Sequence, residues 1–389
     1  MALKAARAGT YVKQPEGYRA FLPAALPVKP PIAIDAELIK LLSDADHALG
    51  RLDGVASVLP NPNLFVAMYV RREAVLSSQI EGTESTLEDV LEFETGAQNV
   101  ANPKDVEEVV NYVRAMNYGL RRLAELPLSL QLIREIHQVL LTDVRGGERR
   151  PGEFRSVQNW IGPRGCELSQ AIFIPPPPDK LAETVRNFEL FLIDRSALPV
   201  LVHCAVAHAQ FEAIHPFLDG NGRVGRLLMT LMLCERGVLE QPLLYLSYYL
   251  QAHQAEYYDR LMAVRRAGNW EGWISFFIRG VLEVSRGAAD TAREILELRE
   301  HHRQLVGTEV SGSMIGLTLL DYLFQQPIVS VRMAADHLQC SFVTASALIA
   351  QFERTGMVRE ITGQQRNRRY RYEPYLKLFE RDMLREPGA

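Results

Sequence analysis

Residues 200–214, VLVHCAVAHAQFEAI, are apolar on nearly every helical face, broken only by His203, His208, Gln210 and Glu212. Such a helix cannot lie on a surface, so the chain must build a domain around it. Directly after it comes HPFLDGNGRVGR, residues 215–226, and then a second apolar helical run that stops at Gly237. A charged, glycine-rich turn is therefore held between two buried helices.

The rest of the chain reads as mainly α. Leu38, Leu41, Leu42, Ala45, Leu49 and Leu52 recur at three- and four-residue steps. A helix restarts near Asn63 and stops at Gly82, and another spans 104–125 between Pro103 and Pro127. Ser129 reads as an N-cap for a helix whose apolar face is Leu132, Ile133, Ile136, Val139 and Leu140. Residues 1–34 are proline-punctuated and read as irregular. Between Arg150 and Leu181 glycines and prolines suggest a β-hairpin, with 157–161 paired to 171–174. A long helical stretch ends near Leu305, GTEVSGS reads as a linker, and a small separate unit follows. The implied division is 1–102, 103–306 and 307–389.

A 389-residue chain exceeds one ordinary core, and 47% hydrophobic with 23% charged residues is the composition of a soluble protein. A net charge of −4 argues against nucleic-acid binding by the whole chain. Cys166, Cys204, Cys234 and Cys340 are scattered without CxxC spacing, which suggests free thiols in a reducing compartment. The first residues lack the apolar core of a signal peptide, and no run approaches a membrane span. The expectation is a cytoplasmic protein.

The turn at 215–226 is suited to anions. A glycine-rich turn entering a helix exposes backbone N–H groups at the positive end of the helix dipole. Gly220 and Gly222 allow close approach, and Arg223 and Arg226 lie three apart where each could clamp phosphate oxygens. Asp219 fits beside phosphates if Mg²⁺ bridges them. His215 ends the preceding helix, within reach as a general base. Together these suggest phosphoryl or nucleotidyl transfer. A salt-bridged turn between helices is the bland alternative, and a metal triad of His208, His215 and Asp219 is a rival that leaves both arginines without a task. His203 and His208 read as packing histidines.

HPFLDGNGRVGR matches the signature HPFx[DE]GNGRxxR and resembles the Fic family, enzymes that transfer AMP from ATP to protein hydroxyls. The resemblance implies a Fic-type helical core in which His215 deprotonates the target hydroxyl and Phe217 anchors the loop. It implies that Asp219 holds Mg²⁺, that Gly220, Asn221 and Gly222 cradle the α- and β-phosphates, and that Arg223 and Arg226 grip the outer phosphates. GEFRSVQNWIG resembles the family's flap, which aligns the target by strand addition and covers the nucleotide with Trp160, Ile161 and Gly162. AEYYDRL is similar to a segment lining the adenine pocket, making Tyr257 and Tyr258 candidates. SSQIEG fits the family's inhibitory pattern [ST]xxx[ED][GN] at Ser77, Glu81 and Gly82. The implied action is pairing of Glu81 with Arg226, which denies that arginine to the γ-phosphate. In some relatives this glutamate also serves AMP removal.

The C-terminal unit resembles a winged helix-turn-helix, with a wing around Gly363 carrying Arg366, Arg368, Arg369 and Arg371. Its charges are nearly balanced, so DNA contact and protein docking, homodimerisation included, stay open together. The leading reading is an autoinhibited protein adenylyltransferase acting on Ser, Thr or Tyr hydroxyls of target proteins and of itself. Removal of AMP, another nucleotide donor, and a DNA-binding regulator whose core senses nucleotide are the alternatives.

Overall fold

In the computed structural model the described residues are 7–57, 63–96, 101–163, 165–195 and 198–384. The chain opens with an antiparallel hairpin, β1 (Gly9–Lys13) and β2 (Arg19–Pro23), in a segment that reads from sequence as irregular. The hairpin is anchored by Phe21, buried against Phe173, and by Phe21 N–H donating to the Ile174 carbonyl. Proline density hid it: Pro15 lies in the turn, Pro23 ends β2 opposite Gly9, and the other prolines follow the hairpin.

Helices follow: α1 (Ala36–Ser57), α2 (Asn63–Ile80), α3 (Leu87–Glu94), α4 (Pro103–Arg122) and α5 (Leu130–Leu140). Ser129 does cap α5, its hydroxyl accepting from Leu132 N–H. After an irregular segment come α6 (Pro178–Ile193), α7 (Val200–Ile214), α8 (Asn221–Glu235), α9 (Ser247–Ala252), α10 (Gln254–Ala267) and α11 (Trp270–Glu309). Helix α7 is buried from Leu201 to Ile214, surrounded by α6, α8, α10, α11 and β2. Its run of alanines lets neighbours approach closely, and the Trp273 indole N–H on α11 reaches the Ala205 carbonyl at 2.7 Å. Leu38, Leu42, Ala45, Leu49 and Leu52 of α1 are buried, on the helix that packs most extensively along α11.

Helix α11 does not stop near Leu305. It continues through the glycine of GTE to Glu309, with Val306 fully buried, so the expected linker shrinks to the residues just after it. Packing explains the difference, since a glycine costs a helix only about 1 kcal/mol. The C-terminal unit contains α12 (Ser313–Gln325), β3 (Ile328–Ser330), α13 (Val331–Leu338), α14 (Phe342–Arg354), β4 (Arg359–Glu360), β5 (Arg369–Arg371) and α15 (Glu373–Leu384). Its sheet has the order β3-β5-β4, all antiparallel. The unit packs on the larger one through α12 against α2 and through α12 and α15 against α11. No helix among the described residues is long and apolar enough to cross a membrane.

Candidate active site

The turn between α7 and α8 is held by its own side chains. His215 closes α7 in the left-handed region at φ 50°, which turns the chain sharply out of the helix. Phe217 is fully buried and stacks on His137 with ring centroids 3.7 Å apart. The Asn221 amide accepts from Phe217 N–H at 2.8 Å and donates to the Phe217 carbonyl at 2.9 Å. The Asn221 side chain is thus spent closing the loop, and its backbone N–H is the group it offers to the anion cradle that the resemblance implies. Gly220 precedes α8 at φ 75°, and no side chain caps that helix. Its first N–H groups therefore face outward without an internal acceptor.

His137, unremarked in the sequence, is the hidden brace. Its Nδ1 accepts from Gly152 N–H at 2.8 Å, so its Nε2 carries the proton and donates to the Asp219 carbonyl at 3.1 Å. Burial pushes this imidazole down to about 4, which keeps it neutral in that role. Only its place on the apolar face of α5 distinguished it, and that signal alone reads as packing.

The two arginines are not equivalent. Arg226 is 1% exposed; its Nε donates to the Ser77 hydroxyl at 2.7 Å, and its Nη2 to the Ser77 carbonyl at 3.0 Å and Glu81 Oε1 at 2.6 Å. Burial works against the charge on Glu81, but Arg226 outweighs it and holds the carboxyl below its ordinary range. Gly222 makes the approach feasible, because a Cβ there would overlap the Glu81 carboxylate. Behind Ser77, Glu73 is buried and accepts from Tyr112 at 3.1 Å and from Ser247 N–H at 3.0 Å, pinning α2 to its neighbours. Arg223 instead donates to Glu108 Oε2 at 2.9 Å, both side chains being 2% exposed. Glu108, on α4, is engaged by Arg145 as well. An outer-phosphate grip by Arg223 thus requires it to leave Glu108, unlike the free clamp expected.

The flap is mostly irregular, where a hairpin from 157 was expected. Among the described residues of the flap an isolated antiparallel bridge joins Ile161 to Phe173. Arg155 supplies the missing order: its Nε donates to the His215 carbonyl at 3.0 Å and its Nη2 to the Pro176 carbonyl at 2.6 Å. Asn159 donates to the carbonyls of His215 and Phe217 at 3.2 and 2.8 Å. Trp160 bonds the Cys166 carbonyl, and a Cβ on Gly162 would lie 2.6 Å from the Cys166 sulfur. Trp160, Ile161 and Gly162 are thus each engaged within the flap itself.

Tyr257, a candidate for the adenine pocket, is a buried side chain in this structure. It is 1% exposed, with its hydroxyl 2.9 Å from His208 Nε2. His208 Nδ1 lies 3.0 Å from the Gly225 carbonyl and must donate to it, so Nε2 accepts the tyrosine proton. Tyr258, 45% exposed, is the neighbour that could meet a ligand. Because both His208 nitrogens are occupied, the triad of His208, His215 and Asp219 is ruled out as a metal site.

Residues 39–121 match the Fic/DOC family N-terminal region, 127–233 match the Fic/DOC family, and 317–371 match an HTH DNA binding domain. Residues 39–121 and 127–233 are thus Fic/DOC family regions. A probable protein adenylyltransferase of Aquifex aeolicus is 30% identical over 189 residues, 45% of this chain and 51% of that protein. The protein adenylyltransferase Fic of Culex quinquefasciatus is 32% identical over 192 residues, 49% of this chain and 34% of that protein. The chain thus matches about half of the first relative's length and a third of the second's. The fold is similar to that of a Fic family protein from Desulfovibrio desulfuricans G20, with TM-score 0.57, 19% identity, and coverage of 88% of this chain and 98% of that one.

In Fic/DOC terms, the Glu81–Arg226 pair joins the two matched regions. Asp219 is the carboxylate a divalent cation would need. It is 39% exposed, its Oδ1 accepts from its neighbour Gly220 N–H, and Arg223 stands 3.6 Å away. Among the described residues no group of three His, Cys, Asp or Glu converges there. One carboxylate beside an open helix N-terminus suits Mg²⁺, which draws its other ligands from phosphates and water.

Proposed function

We propose that this chain transfers AMP from ATP to hydroxyl side chains of a target protein, and that Glu81 holds it in check. The observation that carries the proposal is the 2.6 Å pair between Glu81 and Arg226, set beside His215 and the uncapped start of α8. The nucleotide's phosphates would lie on the α8 N–H groups, with Mg²⁺ on Asp219 neutralising them when bound. His215 takes the hydroxyl proton while the oxygen attacks the α-phosphorus and pyrophosphate departs. Arg226 would hold the γ-phosphate, but Glu81 already occupies it. A core that only sensed nucleotide would need no base at the end of α7. The deciding experiment is incubation with labelled ATP and Mg²⁺, native chain beside Glu81→Gly. Label on protein from neither would sink the proposal. Self-modification would appear as label on the chain itself.

The C-terminal unit is proposed to contact DNA, as its family match suggests. The wing offers fewer free cations than the sequence promised. Arg369 pairs with Glu92 at 3.3 Å, and Arg371 with Glu88 at 2.6 Å, Glu380 at 2.9 Å and Glu373 at 3.1 Å. Arg366 and Arg368 remain exposed. In the full chain, alanine at Arg366 and Arg368 should reduce the salt dependence of DNA affinity by about 2 in slope. Alanine at Arg369 and Arg371 should leave that slope nearly intact and lower Tm instead. The reverse pattern would show that the wing opens on binding. No salt-dependent binding at all would favour protein docking through Phe342 and Val343, exposed by 61% and 76% at the start of α14.

A further inference from the structure

Glu212 has no place in the scheme so far, yet it is buried within the site. It lies one turn before His215 on α7, and its Oε2 is 3.9 Å from His215 Nδ1. Its Oε1 makes no hydrogen bond, and neither does His215 Nδ1. A buried carboxyl oxygen without a hydrogen bond is costly, so its presence here asks for a reason. The surroundings are cut to hold it, since a Cβ on Gly225 of α8 would fall 2.7 Å from Oε1. Arg265 donates to the Glu212 carbonyl at 2.9 Å, so this backbone oxygen, which also favours a charged His215 ring, is shared. The His215 carbonyl is fixed by Arg155 and Asn159, so the ring has little freedom to seek another acceptor.

We infer that Glu212 is the positioning residue for His215, its carboxylate taking the Nδ1–H so that Nε2 is the nitrogen left for the target's hydroxyl proton. The inference rests on the proposed AMP transfer. The distance of 3.9 Å is longer than a hydrogen bond. Catalytic pairs are commonly long without substrate and tighten with it. The need for an anion here is clear. Burial, with Arg265 and Arg155, pushes the His215 imidazole down to about 3, too weak a base to take a hydroxyl proton unaided. In the step itself, the hydroxyl proton moves to Nε2, the oxygen–phosphorus bond forms and the bond to pyrophosphate breaks. The Nδ1 proton stays in place, shared with Glu212, and the imidazolium later releases its Nε2 proton to solvent.

The pH dependence follows. Burial raises the Glu212 carboxyl to about 7, against the pull of Arg226 and Arg265 and with a push from Glu81. Arg155 on the flap side, and Tyr257 and Tyr258 on α10, also face the pair. The tyrosines are raised and Glu81 is lowered, so Glu212 is the member of this group that titrates near neutrality. Below about 7 the carboxyl is neutral and cannot support an imidazolium; above it the charge is present. Activity should therefore rise through that pH and level off.

The test uses Glu81→Gly enzyme, full chain, with and without Glu212→Gln or Glu212→Leu. Glu212→Gln should lower kcat about 10²-fold, leave the KM for ATP within about twofold, and erase the rise through pH 7. Tm should hold or increase, most in Glu212→Leu, because a buried unpaired carboxyl is removed. Nitrogen-15 spectra of the ATP-free protein should show His215 protonated at Nδ1, shifting toward Nε2 in Glu212→Leu. Retained kcat with an unchanged pH profile would overturn the inference. So would a kcat loss matched by a fall in Tm and a rise in KM, the pattern of a packing residue. If no AMP transfer is found in any variant, the activity reading fails, and an unmoved His215 tautomer would still refute the role of Glu212.

Discussion

His215→Ala should cut AMP transfer on the order of 10²–10⁴-fold while ATP binding survives, because the base is lost and the phosphate site is not. In the proposed scheme the phosphates rest on α8 N–H groups, Asp219 with its Mg²⁺, and Arg226, none of which depends on the imidazole. His215 occupies a left-handed backbone position at φ 50°, so His215→Asn is the better second variant, since asparagine tolerates that conformation. Labelled-ATP transfer in the Glu81→Gly background, beside equilibrium ATP binding, reads both quantities. Comparable transfer by either variant would remove His215 from the mechanism. A parallel loss of ATP binding would mean the loop had collapsed.

Glu81→Gly should raise AMP transfer by on the order of 10²-fold, the size expected when one preorganised cation returns to a phosphoryl group. Arg226 is 1% exposed and already fixed by Ser77, so release of the glutamate frees it without reorganising it. A flat response would refute inhibition by Glu81. A fall in transfer accompanied by lost AMP removal would instead assign the glutamate to hydrolysis.

What could be read from sequence was whatever lay along one stretch of chain. The buried character of 200–214 and the cap at Ser129 depend on local spacing, and both are visible in the structure. Partners far apart in sequence were not legible. Glu108 holding Arg223 joins residues 115 positions apart, and His137 bracing Asp219 joins residues 82 apart. The Arg226–Glu81 contact, 145 apart, was anticipated only because the family resemblance named it. The hairpin at β1 and β2 lies in a proline-rich setting, and long-range contact with Phe173 decided its form. The wing arginines read as a free strip until α3 supplied Glu88 and Glu92.

Helix α11 spans about 60 Å if regular, and a single rod of that length belongs to both halves of the protein. Trp273 near its start bonds the centre of the larger core, while His302 near its end bonds Tyr372 in the smaller one at 2.7 Å. Neither half can melt without stripping a face from this shared rod. Heating should accordingly give one calorimetric transition, with calorimetric and van't Hoff enthalpies in agreement. Proteolytic nicking just before residue 307 would strand buried surface on both fragments, so neither should refold alone. The chain is thus two architectures and one unit of cooperativity, and anything that loosens the winged end is felt as a loss of stability at the helices around His215.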